Sequence, residues 1–468
     1  MSRSHSFPLE VTQALLHRAR AHGFDFGEDT AMVAVQHMLE QTVDLFKTAA
    51  DMGLRPQNIF ALGKIYSNSL PVIKTLRHMG VTVVDTTVPA PGEFHCYFER
   101  DIRKLWEIVR EGLAQRRIKR LLVLDDGGLC ITNVPEDILR QYTICGVEQT
   151  SLGMFLFEEK PPRFAVISWA RSAVKLEIGG PIFSQCFLKK LNTEFLRGAS
   201  LEGKRLGVIG MGSIGRAVAN LAEKKGNQIL FYDPHSGLHV PESLRNRISR
   251  VDSLQELMAS CDFVLGCSGR NPFRDNWPLN HKPGVKLLSA SGGDQEFGPI
   301  IRYLRNKPDF KVAPDTWDIH SDNGPSGAID IAYLGYPYNF VSRHVEAVPT
   351  RIVQLETGGL LAALVQARLL LELCEAGHER NEGIHRISPK AQRFVLKEWA
   401  SAMEKQRIDI AELFGYDPEL LNTSERSDWL SENTQPCPGA HYKPSQMVED
   451  KIDRIFCEDC LVKVQAEA

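Results

Sequence analysis

The stretch that most constrains this chain is Lys204–Pro234, KRLGVIGMGSIGRAVANLAEKKGNQILFYDP. Leu206–Ile209 is a short apolar run, as a strand buried on both faces would be. Gly210, Gly212 and Gly215 follow at the G-x-G-x-x-G spacing, Ala217–Leu221 reads as the apolar stripe of a helix, and Gln228–Tyr232 as a second strand ending at Asp233. Gly210 permits a tight turn off the first strand. Gly212 leaves room for a pyrophosphate against the backbone, and Gly215 lets the helix pack closely on the sheet. Ser213 and Ile214 open that helix, whose positive N-terminus would hold the phosphates. Asp233 stands where a carboxylate would accept both hydroxyls of an adenosine ribose. It would repel a 2′-phosphate, which favours NAD over NADP.

The rest of the chain is built in the same alternating style. Residues 1 to about 55 read as helical, with an apolar stripe over Val33–Leu45. Asn58–Leu62, Val81–Thr86, Leu121–Asp125 and Phe164–Trp169 are buried-strand candidates, the first three joined by helices at about 69–79 and 100–116. That alternation predicts a parallel, doubly wound sheet over residues 1–185, ending before a helix at Cys186–Leu196. A nucleotide-binding domain over 186–350 follows, with further strands at Phe263–Cys267, Lys286–Ala290 and Phe310–Ala313. A helix over 351–378 crosses back to the first domain, and 379–468 forms a C-terminal extension with short helices near 388–404 and 407–414. The fold class expected is α/β, two doubly wound parallel sheets around a cleft, the usual setting for a cofactor on one wall and a substrate on the other.

Composition narrows the partners. At 468 residues, with 43% hydrophobic and 24% charged residues, the chain can bury a sizeable core. A formal charge of -3 gives no electrostatic footprint for nucleic acid or an anionic membrane. The N-terminus lacks the apolar core of a signal peptide, and ten cysteines without one read as reduced thiols of a cytoplasmic protein. Leu360–Leu373 is the most apolar region, but Gln366, Arg368 and Glu372 interrupt it, so it reads as a core or interface helix.

At LVLDDGG, which contains Asp125 to Gly128, the chain resembles the S-adenosylhomocysteine hydrolases. GVEQTSLG (146–153), SAVK (172–175), the nucleotide unit, CSG (267–269) and SASGGD (289–294) follow in that family's order. The resemblance implies NAD, held also by Ser268 and Gly269, a homodimer or homotetramer, and a place in one-carbon metabolism. It further implies an enzyme working by transient or net hydride transfer on a nucleoside-like or other hydroxylated substrate, with hydrolase or oxidoreductase chemistry. It puts Lys175 on a catalytic lysine and Asp126 on an active-site aspartate, and Tyr66, Asn68, Gln149 and His344 on the substrate side. The match departs from the family at several of these places. Gln149 replaces a ribose-binding glutamate, Gly179–Gly180 an Asp-Asn pair, Tyr66 and Asn68 a His and a Thr, and Gly293 a catalytic histidine.

Two other readings stand beside this one. In the first, the chain is a catalytically silent binding protein in which NAD and a nucleoside, or a partner protein, set domain closure. In the second it is a D-2-hydroxyacid dehydrogenase, whose cofactor domain has the same design. Those enzymes need an arginine in a loop where this chain has Ser291-Gly292-Gly293. His95, with Glu93, reads as a solvated loop histidine. Near the C-terminus, Cys437, His441, Cys457 and Cys460 form two close pairs suited to a tetrahedral structural zinc.

Overall fold

The computed structural model describes residues 9–192, 201, 203–234, 248–274, 277–340, 348–377, 382–408, 441–442 and 446–456. It contains two sheets, each in the doubly wound order. The first runs β1 (Thr30–Gln36), β2 (Ile59–Gly63), β3 (Thr82–Val84), β4 (Arg120–Asp125), β5 (Thr143–Glu148) and β6 (Ala165–Ser168) along the chain. In space these lie β3-β2-β1-β4-β5-β6, all parallel. The second sheet has β7 (Arg205–Ile209), β8 (Gln228–Tyr232), β9 (Ile248–Arg250), β10 (Phe263–Gly266), β11 (Val285–Ser289), β12 (Lys311–Val312), β13 (Ile319–Gly324) and β14 (Gly327–Ile331). Its parallel part is ordered β9-β8-β7-β10-β11-β14, and β13 and β12 close the edge antiparallel. The order reverses between β1 and β4 in one sheet and between β7 and β10 in the other. Ligands of open α/β sheets bind at such switch points, beyond the carboxyl ends of the strands.

The N-terminal stretch departs from the helical expectation. Thr30–Gln36 is the central strand of the first sheet, buried at every position, and only Glu10–Ala21 and Glu40–Asp51 beside it are helical. TAMVAVQ is a continuous apolar run covered on both faces, and such a run carries no period to separate it from a buried helix. Thr143–Glu148 was also not foreseen as a strand. The helix expected at 186–196 is Gly180–Lys190, continuous with a wider helical turn at Lys175–Gly179.

Thr350–Glu375 forms the long helix and packs under the first sheet, against β4, β5 and β6 on one side and the helices Glu10–Ala21 and Pro389–Lys405 on the other. Two glycines allow the approach. A Cβ on Gly359 would lie 2.2 Å from the Trp169 ring, and one on Gly358 would lie 2.3 Å from Val11. Its most apolar window is 89% buried in protein, so its apolar surface is the core of this layer. Beyond it, β15 (Ile384–Arg386) pairs with β6, and β16 (His441–Tyr442) pairs with β15, so part of the C-terminal region extends the first sheet. None of the seven cysteines among the described residues is in a disulfide.

Candidate functional site

The glycine loop has the geometry its sequence predicts. Gly210 has φ +87°, and a Cβ there would lie 2.6 Å from Ser268 Cα, so the turn off β7 can only be glycine. A Cβ on Gly215 would lie 1.9 Å from the Gly210 carbonyl oxygen. A Cβ on Gly212 would meet nothing within 4 Å. Two glycines therefore serve the fold, and the third opens a cradle before the helix Ser213–Lys224, as a pyrophosphate requires. These residues fit a dinucleotide.

Asp233 ends β8 and is buried, with its Oδ2 accepting the Met211 N–H at 2.7 Å. The carboxylate thus also braces the glycine loop. Ser213 donates its hydroxyl to the Leu176 carbonyl, and the Ile214 carbonyl accepts the Ser184 hydroxyl at 3.2 Å. The segment leaving Lys175 is in this way fastened to the first turn of the nucleotide helix. Gly180 is needed there, because its Cβ would stand 2.1 Å from Ser213 Oγ.

Across the cleft, the carboxyl ends of the first sheet carry a buried polar cluster. His37 follows β1, Lys64 follows β2, Asp126 follows β4 and Gln149 follows β5. The Asp126 carboxylate receives Lys64 Nζ on one oxygen and the Gln149 amide on the other, and His37 Nε2 lies 3.3 Å from that second oxygen. His37 Nδ1 is 2.6 Å from Ser67 Oγ, and Gln36 donates to Gln149 Oε1 at 2.9 Å. Burial alone would raise the Asp126 carboxyl, but Lys64 and His37 outweigh it and hold the group well below the usual carboxylate range. Burial likewise opposes the Lys64 charge, and Asp126 overcomes it so that Lys64 is held protonated. Burial lowers the His37 imidazole below its ordinary value, more than Asp126 raises it, so His37 is neutral near pH 7.

Behind this cluster Asp125 and Glu148 sit side by side in register on β4 and β5. Each has a buried oxygen without a hydrogen-bond partner, Asp125 Oδ1 and Glu148 Oε2. Burial, reinforced by neighbouring carboxylates, pushes Asp125 up to about 7 and Glu148 well above the usual range. The pair therefore retains a proton near neutrality.

Lys175 stands between cluster and cofactor loop. Its Nζ donates to Glu356 Oε2 at 2.7 Å, and the same oxygen accepts the Trp169 indole N–H at 2.7 Å. Tyr66 meets the second sheet directly, accepting the Gly293 N–H at 3.4 Å and stacking on Tyr336 with ring centres 5.0 Å apart. Asn68 is turned away to Thr86 at 3.0 Å. His95 opens the helix Phe94–Ala114 rather than lying in a loop, and its Nδ1 lies 3.2 Å from the Gln295 amide nitrogen across the cleft. Ser268 and Gly269 lie at the end of β10, where Phe155 of the first domain approaches Gly269, and Leu152 approaches Gly292.

The structure therefore brings Asp126, Gln149 and Tyr66 to one side of the cleft and the glycine loop, Ser268 and Gly269 to the other. Lys175 is at their junction. His344, Cys437, Cys457 and Cys460 lie outside the described residues, as does the His441 side chain. Among the described residues no group of three or more His, Cys, Asp or Glu is placed to hold a metal. His37, Lys64, Glu296 and Glu356 were not singled out from sequence. His37 and Lys64 did carry a usable signal, a polar residue after a buried apolar run, but that of His37 is lost when β1 is read as helix, and Lys64, after the expected strand Asn58–Leu62, was passed over.

Residues 185–272 match the family model described as the D-isomer specific 2-hydroxyacid dehydrogenase, NAD binding domain. An uncharacterized protein of Mycobacterium tuberculosis is 29% identical over 315 residues, 66% of this chain and 58% of that relative. Human D-3-phosphoglycerate dehydrogenase is 28% identical over 188 residues, 37% of this chain and 34% of the enzyme. A D-lactate dehydrogenase of Curvularia clavata is 29% identical over 133 residues, 27% of this chain and 37% of the enzyme. The chain thus spans less than two thirds of the length of each of these relatives. The NAD-bound 3-phosphoglycerate dehydrogenase of Entamoeba histolytica superposes over 75% of this chain and 98% of its own, with 14% identity and a TM-score of 0.36.

These findings correct the resemblance drawn from sequence. Residues 185–272, which include β7 to β10 of the second sheet, are similar to the NAD-binding domain of D-2-hydroxyacid dehydrogenases, and the phosphoglycerate and lactate dehydrogenase relatives overturn the assignment to adenosylhomocysteinase, with its hydrolase chemistry and one-carbon role. The physical reason is that the longest matching piece, strand, glycine turn, helix, strand and acid, is demanded by the dinucleotide itself. The remaining matches were short turns at strand ends, which many doubly wound sheets need.

Proposed function

We propose that this chain is an NAD-dependent oxidoreductase of the D-2-hydroxyacid dehydrogenase type. It would act on a small hydroxylated substrate held between the two switch points. The observation that carries this reading is that the open cradle at Gly212 lies at one sheet's switch point and a buried acid–base cluster at the other's, the two sheets meeting through Ser213–Leu176 and Gly293–Tyr66. NAD would be held by Gly210–Gly215, Asp233, Ser268 and Gly269, and would supply a hydride acceptor. Lys175, tied to Glu356, is the residue proposed to take the proton from the substrate hydroxyl, since its position joins both walls. Asp126, kept ionised by Lys64, orders His37 and Gln149 as a fixed polar wall for the substrate.

The loop Ser291-Gly292-Gly293 lacks the arginine that D-2-hydroxyacid dehydrogenases use, so a substrate carboxylate would have to be met by neutral donors. The same feature, with both Asp126 oxygens already engaged, favours a second reading, a protein that binds NAD without turnover. The test is to supply NAD+ with 2-hydroxy acids, and NADH with 2-oxo acids, and follow the nicotinamide absorbance. Turnover in either direction, lost in Lys175→Ala, supports the enzyme. Tight NAD+ binding with no turnover of any member of the panel supports the silent protein.

A further inference from the structure

Below the Ser268–Gly269 turn lies a carboxylate that no part of the account so far uses. Glu296 is fully buried, and its Oε1 accepts both the Ser268 N–H at 2.8 Å and the Ser268 hydroxyl at 2.7 Å. Its Oε2 is buried with no hydrogen-bond partner. Gly266, the last residue of β10, is glycine for its sake, because a Cβ there would stand 2.5 Å from the Glu296 carboxyl carbon. Every group holding this carboxylate is neutral, and among the described residues no lysine or arginine pairs with it. A buried charge without a counter-ion is expensive, and proteins rarely keep one without use.

The strand order says what would lie above it. Asp233 on β8 marks the adenosine side of the glycine loop, and a dinucleotide crossing the switch point extends its other half over the ends of β10 and β11. That half is the nicotinamide, which carries a positive charge when oxidised and none when reduced. We propose that Glu296 is a positioning residue that reads the oxidation state of the cofactor, its uncompensated carboxylate beneath the Ser268–Gly269 turn favouring NAD+ over NADH. The inference rests on the NAD-binding reading above and adds to it the charge preference of the site.

The surroundings leave this role to Glu296. The Cys267 thiol on the same turn is pushed up by burial and by Glu296 itself, so it stays neutral. Asp294 holds the Phe94 N–H at 3.0 Å. Arg270 turns out to Glu158 at 3.1 Å, and from the helix Gly298–Arg305 Arg302 turns to the Gly92 carbonyl and Arg305 to Glu93. On the facing wall Lys64 is tied to Asp126 and Lys175 to Glu356. Burial pushes Glu296 up to about 7, outweighing the Ser268 hydrogen bonds. A cationic ring therefore meets a carboxylate above that pH and a neutral acid below it.

The experiment is separate titration of NAD+ and NADH into the full chain at pH 6 and pH 8.5, read by tryptophan fluorescence, for the unaltered protein and for Glu296→Gln and Ser268→Ala. The unaltered protein is expected to tighten on NAD+ by about tenfold between the two pH values, a one-unit linkage, while NADH affinity changes less than about twofold. Glu296→Gln should abolish the pH dependence and weaken NAD+ alone. Ser268→Ala, which removes one hydrogen bond to the carboxylate but keeps the acid, should move the pH dependence of the NAD+ preference to higher pH without abolishing it. Equal losses for both cofactors in Glu296→Gln, or an unaltered protein with no pH-dependent preference, would overturn the role of Glu296 while leaving NAD binding intact. Failure of the unaltered protein to bind either cofactor would overturn the NAD reading itself.

Discussion

Lys175 Nζ lies 2.7 Å from Glu356 Oε2, joining the segment that leaves the first sheet to the long helix beneath it. The lysine is partly exposed, with 23% of its side-chain surface accessible, while the glutamate side chain is 10% accessible. A lysine so placed has its Nζ held at one point by Glu356 while the side chain stays partly open. Lys175→Ala should lower turnover by about 10²–10⁴-fold, the range for a removed acid–base group. The NAD+ dissociation constant should hold within about threefold, because Lys175 touches no part of the glycine loop. Steady-state kinetics beside a direct binding titration separates these effects. Loss of binding with unchanged turnover at saturation would assign Lys175 to the cofactor instead.

The glycines of the loop should divide into two kinds. Gly215→Ala drives a Cβ to within 1.9 Å of the Gly210 carbonyl and should cost about 1–3 kcal/mol of stability, as overpacking does. Gly212→Ala enters open space at an ordinary φ of -68° and should change stability by less than about 0.5 kcal/mol. It should nonetheless weaken NAD+ by about tenfold or more, since its methyl fills the pyrophosphate cradle. Urea unfolding without cofactor, paired with NAD+ titration, reads both. A Gly212→Ala protein that binds NAD+ normally would contradict the cradle.

The cofactor half was legible in the sequence, and of the facing cluster only Asp126 and Gln149 were singled out, for a physical reason. A dinucleotide imposes its geometry locally, so Gly210, Gly212, Gly215 and Asp233 fall within one strand–helix–strand unit. The facing cluster is assembled from four separate strands, and His37, Lys64, Asp126 and Gln149 have no common spacing. β1 itself, buried on both faces, has no alternation to identify it. Glu296 and Glu356 are single acids whose significance arises only from what the chain folds over them.

The Lys64–Asp126 pair should behave as a buried ion pair does. Lys64→Met leaves Asp126 buried with one counter-charge gone and should destabilise by about 3–5 kcal/mol, whereas Lys64→Met with Asp126→Leu should lose less than the single change does. Asp126 is held below its ordinary value, so its contribution is present above the normal carboxylate range and is lost as pH falls through that range into acid. Chemical unfolding of the three proteins at pH 7 decides the matter. A double variant less stable than Lys64→Met would contradict the ion-pair account.

Asp125 works in the opposite direction. Its carboxyl is raised to about 7 by burial and by the Asp126 charge, so the folded state holds its proton more tightly than the unfolded chain. That contribution is full below about pH 4 and is lost as pH rises toward 7. Asp125→Asn cannot ionise beside Glu148 and should therefore be more stable than the unaltered protein at pH 8, by about 1–3 kcal/mol, with a smaller gain at pH 5 that vanishes only below about pH 4. Urea denaturation at the two pH values measures this. A gain of equal size at both would show that packing, not ionisation, is responsible.

The central claim, NAD-dependent redox chemistry in the cleft between the two switch points, is met most directly by one spectroscopic measurement. The full chain is mixed with NAD+ and a panel of D-2-hydroxy acids, and with NADH and the corresponding 2-oxo acids, while the absorbance of reduced nicotinamide is recorded. The account predicts that absorbance changes catalytically with at least one member of the panel and that the change disappears in Lys175→Ala. A protein that binds NAD+ in a parallel titration but leaves the absorbance unchanged with every member, in both directions, would contradict it.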